Sequence, residues 1–302
     1  MVEKSPSGIW GAVTVYIIWG LFPLYWKALH HIPSLEILAH RVLWSALMLG
    51  VYFLFTGRYR FIWHRFQTHM GSFMLVVLSA VFIASNWYLY IWAVNHNFIL
   101  ETSLGYFLNP LINFILGLYF FRERFLPRQW PAFILVFSGL FYLTFQYGKL
   151  PTLSLLIALT FACYTLCKKL SHLSSLDSLW PESMVLFPFC AVYLLHLEWM
   201  GQGHFGHQSS WWSEILLIGC GPITFIPLYL YGSVTKKISL SLLGLLQYIS
   251  PIGQFLIGVF LYHEPLGQIQ KTTFILIFSG LLYFAIERFH FSYGLRRKGQ
   301  HN

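Results

Sequence analysis

Charged side chains are scarce in this chain. Only 10% of its 302 residues are Asp, Glu, Lys or Arg, whereas a soluble globular domain carries about 25%. A chain with so few charges cannot cover a surface that faces water, so the composition excludes a cytosolic globular enzyme and a disordered chain. The hydrophobic content of 57% points instead to a membrane protein.

Motifs for metals, cofactors and nucleotides are also lacking. The four cysteines lie inside apolar runs, so neither a disulfide framework nor a zinc site is predicted. The histidines fall at predicted helix ends and in loops without a cluster of acidic residues, and no metal or other cofactor is expected. HExxH, GxSxG and Walker A patterns are absent. An intramembrane enzyme is therefore the least favoured class, and ATP drive by this chain alone is excluded.

The chain has instead ten apolar runs. A helix needs about 20 mostly apolar residues to cross a bilayer. The runs are continuously apolar rather than alternating, which excludes a closed barrel. The predicted fold is an all-α integral membrane protein with ten transmembrane helices. They are expected at 9–26, 35–56, 71–93, 102–121, 130–147, 151–167, 176–197, 212–231, 239–262 and 270–287.

The basic residues predict the orientation rather than a nucleic-acid partner. The net charge is +9, but Lys and Arg form short clusters between the apolar runs and no basic face with interleaved aromatic residues. With the N-terminus inside, 15 of the 19 Lys and Arg fall in inner segments, three in outer segments and Arg41 within a span. Both termini are therefore predicted to be cytoplasmic, and the loops at 94–100 and 198–210 to face outwards.

The second half of the chain repeats the first in a single register without a gap. Because each half has five spans, an odd number, the second half must enter the membrane inverted. The sequence thus predicts two inverted five-helix repeats, 1–147 and 148–302, the second ending in a short basic cytoplasmic tail. Such repeats are the basis of alternating access. The matches include Pro110 with Pro251, Gly117 with Gly258, Glu123 with Glu264, and Phe137-Ser138-Gly139-Leu140 with Phe278-Ser279-Gly280-Leu281.

Polar residues recur at helical spacing within two related spans. Amides facing lipid are costly, so these side chains are expected to face the bundle interior. There they line a cavity or, in the alternative interpretation, join packed helices. The cavity candidates are Tyr106, Asn109 and Asn113 on the fourth span and Gln247 and Gln254 on the ninth.

Arg41 is the basic residue placed within a span, about 9 Å below its outer end. Asn86, Tyr90 and Asn109 lie at a comparable depth, so the four are expected around one cavity. An intramembrane arginine needs an anionic partner. The candidates are Glu36, Glu101, or a carboxylate or phosphate of a substrate; the alternative is an arginine that snorkels to the outer interface.

Glu182 occupies the repeat position of Arg41. A carboxylate withdrawn from water holds its proton more readily, which makes Glu182 a candidate for carrying a coupling proton. The alternative is an interfacial residue solvated from the cytoplasm.

Four segments carry a resemblance to a known family. They are WGLFPLYWK at 19–27, EILAHRVLWS at 36–45, SNWYLYIWAVN at 85–95 and ETSLGYFLNPL at 101–111. In these segments the chain resembles the RarD-type branch of the drug/metabolite transporter superfamily, also called EamA-domain transporters, and the resemblance covers nearly the whole chain. Thr165 departs from the pattern, where glycine is expected.

The resemblance implies ten helices, two EamA repeats and an export-type permease in the bacterial cytoplasmic membrane. The predicted function is secondary active transport of small metabolites or drugs by alternating access. A lipid-handling, flippase-like protein on the same fold is the alternative. The expected partners are a small-molecule substrate and the lipid bilayer, with a proton as candidate coupling ion, in a monomer or homodimer.

Overall fold

A computed structural model gives the fold of the chain. It describes residues 6–57, 59–60, 70–121, 128, 130–171, 175–206, 210–234, 237, 243 and 246–298. The described part is almost entirely helical. Its helices are α1 Pro6–Gly20, α2 Phe22–Ala28, α3 Ser34–Thr56, α4 Met70–Asn95, α5 Ile99–Phe121, α6 Trp130–Tyr147, α7 Thr152–Ser171, α8 Ser175–Trp199, α9 Trp211–Val234, α10 Ile249–Leu256 and α11 Gln268–Lys298.

Eight helical segments among the described residues are long and apolar enough to cross a membrane, α1 and α2 together forming the first. They confirm an all-α membrane protein; the count of ten spans stays a prediction. The predicted ninth span appears as α10 followed by a π-helical turn, Ile257–Leu261. Residues 239–242 and 244–245 of its first part lie outside the described residues. Glu123 of the repeat also lies outside them.

The last helix is longer than the span predicted in it. The apolar run is expected to end at 287, before the basic tail, and α11 continues through this basic segment to Lys298. Hydropathy marks where apolar side chains end, whereas the backbone hydrogen bonds of a helix can continue beyond the membrane.

Large apolar side chains cover the outside of the bundle. Phe55, Tyr119, Phe145 and Trp199 are each between 74% and 89% exposed. Exposed apolar surface of this extent marks an interaction with a partner or a membrane. In this chain it is the surface that the bilayer covers.

The first span is broken where it crosses a neighbour closely. Pro23 lies in the first turn of α2 and lacks the N–H that would continue α1. A Cβ on Gly20, the last residue of α1, would lie 3.3 Å from the carbonyl oxygen of Ser250. A glycine at this end therefore allows α1 and α10 to touch.

The helix contacts follow the register of the sequence repeat. This register relates α1 to α7, α3 to α8, α4 to α9, α5 to α10 and α6 to α11. Contacts of α4 with α7 recur as contacts of α9 with α1, those of α5 with α7 as α10 with α1, and those of α3 with α9 as α8 with α4. The remaining large contacts join a helix to its own counterpart, as in α6 with α11 and α3 with α8.

Two related glycines lie at the contact between α6 and α11. A Cβ on Gly139 would lie 3.2 Å from the carbonyl oxygen of Thr273, and a Cβ on Gly280 would lie 2.8 Å from that of Ala132. The register that pairs Gly139 with Gly280 also pairs Ala132 with Thr273. Each glycine thus meets the earlier part of the opposite helix, so the two helices run antiparallel.

Candidate functional site

Arg41 lies on α3 in the interior of the bundle, where this helix contacts α9. Its side chain is buried, with 4% of the residue exposed. The Nε atom donates a hydrogen bond of 3.0 Å to the Oγ1 atom of Thr224 on α9. Among the described residues, Thr224 is the sole hydrogen-bond partner of the guanidinium.

Aromatic rings surround this guanidinium. Its central carbon lies 3.9 Å from the ring centroid of Trp87 on α4 and 4.9 Å from that of Trp26 on α2, with Phe22 at 6.0 Å. A cation over an aromatic face is attracted by the quadrupole of the ring. The rings therefore stabilise the charge, although an aromatic ring carries no negative charge of its own.

Polar side chains predicted to share the cavity lie next to the rings. The Tyr106 hydroxyl donates to the Oδ1 atom of Asn86 at 3.1 Å. The amide nitrogen of Asn86 donates to the carbonyl oxygen of Ile157, at 2.9 Å. The Tyr90 ring lies 5.6 Å from that of Tyr106, and the Tyr90 hydroxyl is buried without a hydrogen-bond partner in the described part of the chain. The structure thus brings Asn86, Tyr90 and Tyr106 together beside Arg41.

Neither carboxylate considered as a partner pairs with Arg41. Glu36 accepts hydrogen bonds from the backbone N–H and the Nδ1 atom of His204, each at 2.8 Å. Glu101 is partly exposed and lies near Lys149 and Glu264.

The groups that interact electrostatically with the guanidinium are phenols and a thiol: Tyr25, Tyr90, Tyr106 and Cys220.

The remaining amide candidates differ in whether their side chains form hydrogen bonds. Gln254 is 2% exposed, and its amide nitrogen donates to the carbonyl oxygen of Trp19 at 3.4 Å. Its oxygen accepts a long hydrogen bond from Thr102, at 3.5 Å.

Asn109 is buried, and its side-chain oxygen has no partner among the described residues. Asn113 and Gln247 are half-buried, and no side-chain hydrogen bond joins either to a described residue.

Glu182 lies in a second buried site, formed by α4, α7 and α8. Its Oε1 atom accepts a hydrogen bond of 2.6 Å from Ser79, and its Oε2 atom lies 3.6 Å from the Nζ atom of Lys168. Tyr164 and Ser178 also interact with this carboxylate. Arg41 sits among α3, α9 and α2, so the two charges have related environments in the two halves.

A structural role of Glu264 was not predicted. Its two carboxylate oxygens accept hydrogen bonds from the backbone N–H groups of Ile99, at 2.6 Å, and Leu100, at 2.8 Å. It therefore caps the N-terminus of α5, where free N–H groups favour a negative charge. Burial raises the pKa of Glu264 above its ordinary value, while these N–H groups and Lys27 oppose the increase. Its match with Glu123 in the repeat was the one available signal.

An apolar groove of about 680 Å³ lies between α5 and α6. Its lining includes Trp130, Ile134, Phe137 and Phe141, all more than half exposed. Ser138 is the polar side chain of the lining, and Arg41 is not part of it. The groove therefore belongs to the lipid-facing surface. No group of three or more His, Cys, Asp or Glu residues that could hold a metal occurs among the described residues.

The chain is similar to known transporters along most of its length. Residues 6–145 match the model of the EamA-like transporter family. The chain is 37% identical to the uncharacterized transporter YojE of Bacillus subtilis over 95% of both chains. It is also 37% identical to protein RarD of Escherichia coli, over 94% of this chain and 96% of that one.

A solved crystal structure shares the fold. It covers 93% of this chain and 98% of its own length with a TM-score of 0.59 and 15% sequence identity. At that identity the likeness concerns the fold alone. The full-length relatives confirm the resemblance seen in the sequence motifs, and the chain belongs to the RarD-type branch of the EamA-like transporter family.

Proposed function

We propose that this multi-pass membrane transporter is a secondary active permease that exports small metabolites or drugs by alternating access. The antiparallel contact of Gly139 and Gly280 is the observation that carries the proposal. A two-fold axis in the membrane plane relates inverted halves, and helices next to that axis must run antiparallel. The recurrence of helix contacts in the same register supports the same arrangement, with halves 1–147 and 148–302.

Inverted halves present one site to either side of a membrane by exchanging their conformations. Three contacts link helices on the side where α4 ends and α5 begins. Lys27 donates to Asn97 at 2.6 Å, Glu36 holds His204, and Glu264 holds the start of α5. We call them the outer contacts, because this side is predicted to be periplasmic. They favour a state closed to the outside, from which the substrate site opens to the cytoplasm.

The proposed substrate site lies beside Arg41, where Asn86, Tyr90 and Tyr106 meet. Polar groups in the interior of a bundle with an apolar exterior are expected on a substrate path. Asn109 and Asn113 extend this path along α5, the latter nearer the cytoplasmic end. The site therefore joins helices of both halves, as alternating access requires.

The lipid-handling alternative rests on the apolar groove between α5 and α6. An acyl chain fits such a surface, since the groove is lined by aromatic and aliphatic side chains. A lipid headgroup needs polar or charged partners, and Ser138 is the polar side chain of that lining. The buried polar site at Arg41 therefore favours a soluble substrate.

Coupling to protons is proposed at Glu182. The carboxylate is 1% exposed and is held by Lys168 and Ser79. Protonation removes its attraction for Lys168 and weakens the contact between α7 and α8. A proton bound here therefore changes the contact that α7 makes with α8, and α8 is the counterpart of α3, the helix that carries Arg41.

Alternating access is tested by labelling one interior position from both sides. In a background with the four native cysteines replaced by alanine, Asn113→Cys is exposed to a membrane-impermeant maleimide from the outside or the inside of vesicles. We expect labelling from each side. A disulfide formed first between Glu36→Cys and His204→Cys should remove the outside labelling and leave the inside labelling intact.

Two results would contradict the proposal. Labelling of Asn113→Cys from one side under all conditions would exclude a site with alternating exposure. Outside labelling that survives the disulfide would show a path that the outer contacts do not close. Gln202→Cys, in the exposed loop after α8, serves as the control that stays accessible from outside in both samples.

A further inference from the structure

We infer that Arg41 binds the carboxylate of a small organic monoanion, so that the substrate itself supplies the missing counter-charge. This inference rests on the proposed function, because it places the substrate in the cavity of a transporter. It goes further by naming the charge and the chemical class of the substrate.

The first step is the charge balance around Arg41. An arginine stays protonated in proteins, and a buried charge is unfavourable unless it is paired. Eight of the ten acidic residues of the chain lie in the described part, and none of the eight pairs with Arg41. Glu36 is held by His204 and Glu264 by the start of α5. The cation is thus left for an anion that does not belong to the described chain.

The second step is the hydrogen-bonding capacity that remains. A guanidinium carries five N–H donors, of which Nε–H donates to Thr224. The two terminal nitrogens form no hydrogen bond with a described residue. The rings of Trp26 and Trp87 beside them offer aromatic carbon, which is no ordinary hydrogen-bond acceptor. The paired terminal donors match a carboxylate, which accepts them as two parallel hydrogen bonds.

The third step is a set of buried polar atoms at the same place. The Tyr90 hydroxyl and the Trp26 Nε1–H have no hydrogen-bond partner among the described residues. Both side chains are withdrawn from solvent, since Tyr90 is 3% and Trp26 0% exposed. Buried polar groups normally have a hydrogen-bond partner. Both groups are donors, and both lie next to the Arg41 cation. Their donors therefore suit an anion better than a second cation.

The surroundings also distinguish a carboxylate from a phosphate. Arg41 is the one Lys or Arg placed within a span by the sequence, and it supplies one positive charge. A phosphate ester carries up to two negative charges near neutral pH, of which one would remain unpaired. The aromatic rings that surround the guanidinium also favour an apolar body next to the charged group. The expected ligand is a monocarboxylate with an aliphatic or aromatic body.

Arg41 is 4% exposed, so a ligand reaches it only when the surrounding helices move apart. Binding is therefore expected to select an open state. This requirement agrees with a site that is loaded in one conformation and enclosed in another.

Ligand-induced stabilisation of the purified full-length protein tests the inference. A ligand that binds the folded state raises its melting temperature. The probes are propionate, phenylacetate and indole-3-acetate, each paired with its neutral amide, together with phenyl phosphate. We expect the carboxylates to raise the melting temperature, with little effect of the amides and a smaller effect of phenyl phosphate.

Variants then assign the effect to Arg41. Arg41→Gln should abolish the stabilisation, and Arg41→Lys should weaken carboxylate binding by about tenfold or more, because an ammonium cannot form the paired hydrogen bonds. Arg60→Gln makes the same exchange at an exposed arginine near the end of α3 and should keep the full effect. If the Arg41 variants do not fold, the comparison of acids with amides in the unmodified protein decides alone.

Several results would overturn the inference. They are no stabilisation by any carboxylate, equal stabilisation by the amides, a larger effect of phenyl phosphate, or full retention of the effect in Arg41→Gln. The labelling of Asn113→Cys needs no ligand and reports on the proposed function separately. Labelling from both sides without carboxylate binding refutes the inference alone, whereas carboxylate binding with labelling from one side refutes alternating access.

Discussion

At the scale of single residues, the amide side chains of Gln254 and Asn113 differ in their hydrogen bonds. Gln254 is buried and joins Trp19, Ser250 and Thr102 through its side chain. Asn113 is half-buried and forms no side-chain hydrogen bond with a described residue. The sequence places both on interior stripes. The partners of Gln254 indicate that it connects helices, whereas Asn113 is proposed to line the path.

Replacing each amide by leucine should separate these roles. Gln254→Leu should lower the free energy of unfolding by about 1–3 kcal/mol, because it leaves buried polar partners unsatisfied. Asn113→Leu should unfold within about 0.5 kcal/mol of the unmodified protein and impair transport of the carboxylate identified by the stabilisation test. Thermal unfolding in detergent and uptake into vesicles measure the two effects. Equal stability of both variants would show that Gln254 has no role in joining helices.

A second residue-scale prediction concerns Glu182. Lowering the pH should protonate this carboxylate and release Lys168, so the ratio of inside to outside labelling at Asn113→Cys should change with pH. Glu182→Gln keeps a hydrogen-bonding group near Ser79 but removes the ion pair. The ratio should then lose most of its pH dependence. Glu214→Gln, at a carboxylate that accepts from the backbone N–H of Gly206, is the control. An unchanged pH profile in Glu182→Gln would assign coupling to another group.

At the scale of helices, the contact of α6 with α11 gives the sharpest prediction. Gly280→Ala places a methyl group 2.8 Å from a backbone oxygen, and such overpacking costs about 1–3 kcal/mol. Gly139→Ala should cost less, because its nearest contacts are 3.1–3.3 Å away. Gly71→Ala, near the start of α4, meets nothing within 4 Å and should be neutral or slightly stabilising. If Gly280→Ala melts with the unmodified protein, the helices are not in this close contact.

Helices were predicted better than the contacts between them. The predicted 130–147 equals α6, and 35–56 differs from α3 by one residue, because long apolar runs identify spans directly. The turn at Gln247 and Tyr248 before α10 was missed, since Pro251 and the neighbouring apolar residues continue the hydropathy pattern of the run. Side-chain partners such as His204 for Glu36 were missed for another reason: they join residues 168 positions apart, and only the packed bundle brings them together.

The same limit applies to the candidate site. Depth along a span placed Asn86 and Tyr90 near Arg41, because rise per residue converts sequence position into depth. Depth does not fix the face of a helix or the neighbour it meets. Trp87, whose ring is the nearest to the guanidinium, therefore had no signal beyond its position next to Asn86.

At the scale of the whole molecule, the distribution of basic residues predicts the orientation in the membrane. The excess of Lys and Arg in one set of loops predicts that both termini are cytoplasmic. Glu36 in the first turn of α3 contacts His204, so this helix begins beside the loop after α8. The helix ends at Thr56, shortly before Arg60. The loop after α8 and the end of α3 must then lie on opposite sides of the membrane.

Single cysteines at two exposed positions measure this orientation. His204 is engaged by Glu36, so Gln202→Cys is the better outer probe, and Arg60→Cys is the inner one. In intact cells an impermeant maleimide should label Gln202→Cys at once and Arg60→Cys only after permeabilisation. The opposite result would invert the protein in the membrane and place the outer contacts at its cytoplasmic face. Labelling of both positions in intact cells would show that α3 does not cross the bilayer.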